Sequence, residues 1–131
     1  MIIRTTESVP SVEWGNGLSR RFLLHSDNMG YTLTDTTVRA GTRSRIEYRH
    51  HFEACYCIAG NGEVVDLDGN SYPIQPGTMY ALDKNDPHFL IAAPDTDLRL
   101  VCVFSPALHG DEHHSLDSTG FSSYQPRVSG V

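Results

Sequence analysis

Glu53 stands in the run Phe52-Glu53-Ala54-Cys55-Tyr56-Cys57-Ile58, a carboxylate in an otherwise apolar stretch. Taking an ionised carboxylate out of water is costly unless it is paired or coordinates a cation. Downstream, Tyr80 and His88 flank Asp83-Lys84-Asn85-Asp86-Pro87, a spacing that sets them on two adjacent strands. Carboxylate, phenol and imidazole together suit iron, as Fe2+, with zinc as the alternative. A bound dication would also lower the phenol pKa and make Tyr80 a usable ligand. The competing readings are structural. Glu53 could pair with Arg49 or Arg45, Tyr80 could be an amphipathic core residue, and His88 could belong to a loop after Pro87. His51 shares strand parity with Glu53 and is a reserve ligand, whereas His50 would point to the opposite face. His109, His113 and His114 lie in polar sequence and read as a solvated loop.

The cysteines number three. Cys55 and Cys57 form C-x-C, which in a strand turns both thiols to one face, one of them toward a cavity. Spaced Cys/His pairs of the zinc-site kind are absent, so these thiols read first as buried small hydrophobes.

Short strands must position these groups. The runs are Arg21–Leu24, Tyr31–Val38, Ser44–Tyr48, Phe52–Ile58, Glu63–Leu67, Ser71–Ile74, Thr78–Leu82, His88–Ala92 and Asp97–Phe104. Turn residues separate them at intervals of a barrel or sandwich, and no segment has helical periodicity. Gly60-Asn61-Gly62 reads as a hairpin-type turn and Asp68-Gly69-Asn70 as a second tight turn. The expected fold is therefore all-β, a single-domain β-barrel of jelly-roll type with little helix. From Ser105 the chain turns polar, and residues 115–131, rich in Ser, Gly and Pro, read as a tail or disorder after a domain spanning 1–114.

A chain of 131 residues supports one domain with a modest core. Its formal net charge of −6 and scattered basic residues offer no stripe to displace counterions, which excludes a nucleic-acid partner. No window approaches a membrane span, and Met1-Ile2-Ile3-Arg4 is too short an apolar run for an export signal. A cytoplasmic protein with reduced cysteines is expected.

Glu53 followed by Gly60, and Gly77 followed by Asp83, Asn85 and His88, also resemble the two half-motifs of the cupin superfamily. The usual H-x-H pair is missing: its registers fall on Ile46 and Tyr48, or on Glu47 and Arg49. Longer strings are similar to one family, ectoine synthase. Tyr48–Ile58 resembles its Y-x-x-H-[FL]-E-A-V-Y-C-I, Ile74–Asp83 its I-x-P-G-x-x-Y-A-L-D, and Leu100–Pro106 its L-V-C-V-F-x-P. Ser19–Leu24 and Asp27–Tyr31 add to the likeness, which runs from about Trp14 to Glu112.

The resemblance implies a cupin lyase that closes N-γ-acetyl-L-2,4-diaminobutyrate into ectoine with loss of water, dependent on iron. The family's metal ligands fall on Glu53, Tyr80 and His88. Its substrate contacts fall on Trp14, Arg21, Thr34, Thr36, Cys102 and Phe104; Tyr48 also matches directly. Trp14–Ser19 is longer than the usual W-x-S, and Thr34 stands where Asn or His is commoner. The Glu-x-His of the family's C-terminal lid falls on Glu112 and His114, which with Tyr48 are the candidates for proton transfer. A homodimer, head to tail, is expected by family analogy. Two alternatives stay open: a metal cupin acting on a different small molecule, such as a dioxygenase, and a ligand-binding cupin without turnover.

Overall fold

The structure is a computed structural model describing residues 1–110, 114–116 and 122–124, with side chains over 1–110. Twelve strands are present among these: β1 Ser11–Glu13, β2 Gly17–Leu23, β3 Thr32–Val38, β4 Arg43–Ile46, β5 Phe52–Ala59, β6 Gly62–Asp66, β7 Ser71–Ile74, β8 Met79–Leu82, β9 His88–Ala92, β10 Leu98–Ser105, β11 His114–Leu116 and β12 Ser122–Tyr124. They form two six-stranded sheets, ordered β1-β2-β3-β10-β5-β8 and β11-β12-β4-β9-β6-β7. Pairing is antiparallel except for one parallel bridge, Ser122 to Ile46. The helical content among the described residues is one 3₁₀ turn, His25–Asp27. No helix there is long and apolar enough to cross a membrane. The all-β architecture read from the sequence is observed.

Alternation decides which way each strand faces. Leu98, Leu100, Cys102 and Phe104 of β10 are buried, as are Glu53, Cys55 and Cys57 of β5. The intervening Phe52, Tyr56, Ile58 and Val103 are exposed. The core thus lies between the sheets, and β5 supplies it with a carboxylate and two thiols.

Two expectations are corrected. Gly60-Asn61-Gly62 is not the turn of a hairpin: β5 and β6 belong to different sheets, and the turn carries the chain across the barrel. Its glycines answer a packing demand. Gly60 has φ 85°, and a Cβ there would sit 2.0 Å from the Asp97 carbonyl oxygen. Likewise β8 and β9, which carry Tyr80 and His88, are consecutive in the chain but lie in facing sheets. The second turn is a hairpin, between β6 and β7, with the Asp66 carboxylate accepting from the Asp68 and Asn70 amides, each at 2.9 Å.

β1 and the first half of β2 were not among the expected strands, and β11 and β12 lie at or beyond the expected domain end at residue 114. Strands of three residues are too short for alternation to register.

Gly60→Ala combines a left-handed backbone with a clash against main chain. It should lower stability by about 2 kcal/mol or more. Urea unfolding checks this as a fall in midpoint at unchanged m.

Candidate functional site

The register of the first sheet lines up a row of inward-facing side chains from strand to strand. Arg21 pairs with Thr34, Thr34 with Cys102, Cys102 with Cys55, and Cys55 with Tyr80. One step along, Thr32 pairs with Phe104, Phe104 with Glu53, and Glu53 with Leu82. Because the side-chain period is two, both rows face the same interior. Arg21, Thr34, Cys55, Cys102 and Phe104 are each at most 2% exposed.

A cavity opens against these rows. Glu53, Cys55, Cys102 and Tyr80 form its polar side, with Ser19 and Thr36 nearby. Trp14, Tyr48 and Phe104 form its aromatic walls. The Tyr48 and Phe104 rings meet edge to face at 5.3 Å between centroids. The longer segment after Trp14 folds as a turn in which the Trp14 amide donates to the Gly17 carbonyl at 3.0 Å, and the indole still reaches the cavity. Thr34 lies beneath this surface, its hydroxyl 2.9 Å from that of Thr36. The Arg21 guanidinium donates to the Gly110 carbonyl at 2.9 Å.

His88 arrives from the facing sheet, its ring centroid 6.3 Å from that of Tyr80. Its Nδ1 is 2.8 Å from the Asp86 carbonyl oxygen. A carbonyl can only accept, so Nδ1 carries the proton and Nε2 keeps its lone pair. Burial lowers the imidazole pKa, opposed by that hydrogen bond, so the ring is neutral at pH 7. His88 Nε2 is buried and has no hydrogen-bond partner among the described residues.

Glu53 is pushed up to about 7 by burial, against the lowering effect of hydrogen bonds from Cys55 and Cys102. Burial also raises Cys55, helped by its contact with Cys102. The Tyr80 hydroxyl is held well above the ordinary phenol range by burial first and then by the negative groups around it. The ion pairs considered for Glu53 are otherwise engaged: Arg49 bonds Glu47 at 3.0 Å, and Arg45 lies over the Phe89 ring.

Of the predicted residues, Trp14, Thr36, Tyr48, Glu53, Tyr80, Cys102 and Phe104 meet at the cavity. Arg21 and Thr34 lie on the adjoining row, and His88 faces Tyr80. His114 begins β11, its side chain outside the described residues, as is Glu112 altogether. His51 is structural: its Nδ1 lies 2.8 Å from the Pro106 carbonyl oxygen.

Residues outside the predicted ligand and substrate set also contribute. Ser19 has a buried hydroxyl without a partner among the described residues, and it lines the cavity. Its place two residues before Arg21 on β2 was the available signal. Cys55 joins Glu53 and Cys102 with ligand atoms all within 4.8 Å of one another, a possible metal site. Asn85, at φ 54°, donates to the carbonyls of Tyr48 and His51 at 2.9 and 3.1 Å and so fixes the segment after β4.

The model of the ectoine synthase family matches residues 1–125. The chain belongs to the ectoine synthase family. An L-ectoine synthase of Oceanobacillus iheyensis is 46% identical over 125 residues, covering 89% of this chain and 94% of that one. One from Desulfatibacillum aliphaticivorans is 51% identical over 106 residues, 80% of each chain. The crystal structure of ectoine synthase from P. lautus superposes with a TM-score of 0.81 at 38% identity, covering 100% of this chain and 96% of that one. The double-sheet barrel is thus an ectoine synthase fold, a cupin.

In this ectoine synthase family member, Asn85→Ala should cost about 2 kcal/mol by leaving two carbonyls without their donor. Thermal unfolding checks it, with Asn85→Asp, which keeps the turn but not the donor, expected to fall in the same direction.

Proposed function

We propose that the chain is a hydro-lyase that cyclises N-γ-acetyl-L-2,4-diaminobutyrate to ectoine, and that Glu53, Tyr80 and His88 hold the metal ion. The observation that carries the metal reading is the His88 lone pair. A buried neutral imidazole whose Nδ1–H is fixed by a carbonyl, with Nε2 unpartnered, has the form of a metal-ligating histidine. A buried carboxylate and a phenol at the same cavity complete a donor set suited to iron, with zinc as the alternative. When bound, such an ion supplies Lewis acidity toward a carbonyl oxygen.

The remaining work belongs to the chain. Ring closure joins the substrate α-amine to the acetyl-amide carbon, after which the carbinolamine loses water and a C=N bond forms. The amine must be neutral and folded back upon the amide. A pocket that holds both ends of the substrate gains from proximity. Arg21, with Thr34 or Thr36, is assigned to the substrate carboxylate, and Cys102 lies beside Thr34 on the row it shares with Arg21. Trp14 and Phe104 wall the pocket and exclude water. Tyr48, at the cavity, is one proton carrier; Glu112 and His114 are the others by family resemblance.

A homodimer is assigned to the outer face of the first sheet. There Val101, Tyr56 and Met79 form one row on β10, β5 and β8, with Phe52, Ile58 and Val103 around it. Tyr56 and Met79 are 48% and 58% exposed, an apolar surface of the kind partners cover.

Metal-reconstituted protein incubated with N-γ-acetyl-diaminobutyrate should yield the cyclic product, without O2 consumption. Glu53→Ala and His88→Asn should each lose metal affinity by at least about a hundredfold, and turnover with it. Full activity in either variant, or wild-type protein without product, overturns the assignment. For the dimer, Tyr56→Glu should halve the mass measured by light scattering while leaving the circular dichroism spectrum unchanged.

A further inference from the structure

The trio does not use the two thiols that border it. Cys55 and Cys102 are directly opposed on β5 and β10, and Glu53 lies one inward position along β5. All three are buried. Their ligand atoms lie within 4.8 Å of one another, close enough to share one ion. The Tyr80 hydroxyl contacts Cys55 from the neighbouring strand.

We propose that Glu53, Cys55 and Cys102 form a second, softer ligand set that takes a thiophilic dication, zinc first, in competition with the ion of the Glu53–Tyr80–His88 trio. Two sulfurs and one carboxylate oxygen are the donors that select zinc over a harder ion. Three protein ligands would leave a fourth coordination position, and Tyr80 pairs with Cys55 from the neighbouring strand. On binding, each Sγ–H bond breaks as an Sγ–metal bond forms. Both protons leave to solvent, and nothing is oxidised or reduced. The ligand atoms already lie within 4.8 Å of one another, so they can converge on one ion. The competition rests on the proposed trio; the thiol-containing ligand set itself does not.

The test uses full-length, reduced, metal-free protein titrated with Co2+ and followed by optical absorption. Wild-type protein should show thiolate-to-cobalt charge-transfer bands. Cys55→Val should lose them, and its zinc affinity in competition with a chromophoric chelator should fall by at least about a hundredfold. His88→Asn should keep both. Absence of the bands in wild-type protein overturns the proposal whether or not a variant folds. Bands that survive in Cys55→Val, or that vanish equally in His88→Asn, overturn it too. Failure of the cyclase reading would appear as absent product with the bands intact, a distinguishable result.

Discussion

Burying a carboxylate inside an apolar wall is the constraint on which the site depends. Glu53 cannot be solvated where β5 places it, and the groups facing it are two thiols and a phenol rather than a guanidinium. Its affinity for a proton rises accordingly, to about 7. A group held in that condition is receptive to any positive charge that enters the barrel. The same burial has the opposite sign at His88, which it keeps neutral and therefore able to donate a lone pair. One low-dielectric interior thus prepares an acid and a base in complementary states, each through loss of water rather than through a dedicated partner.

The two sheets divide the task. The first carries carboxylate, phenol, thiols and the Arg21–Thr34 pair; the second contributes His88. An ion held by Glu53, Tyr80 and His88 would tie the sheets together across the barrel. Asn85 serves the same junction from the loop between β8 and β9, since its side-chain amide bridges two carbonyls just after β4. At this junction the Asn85 amide and the His88 ring are both held by main-chain carbonyls.

Much of this was legible in the sequence. Alternation and turn residues gave nine of the strands, because each has at least four residues and a buried face. Glu53 could be picked out because a charge in an apolar run has few explanations. What eluded reading was three-dimensional sidedness. A Gly-Asn-Gly turn looks alike whether it folds a hairpin or crosses between sheets; the close approach of Asp97 that decides the matter comes from a segment far along the chain. For the same reason Tyr80 and His88 could be foreseen as neighbours in sequence but not as members of facing sheets. Cys55 passed for a small hydrophobe because its significance lies in Cys102, a strand distant in the chain.

The row Arg21–Thr34–Cys102–Cys55–Tyr80 runs at right angles to the polypeptide, one residue from each of five strands. Loops can therefore lengthen without disturbing the order of groups along it. A deletion of a single residue within any of those strands would turn one member of the row outward. Evolution of this barrel is accordingly free at its ends and confined in its middle, and any redesign of its specificity has to proceed by exchanging side chains in place.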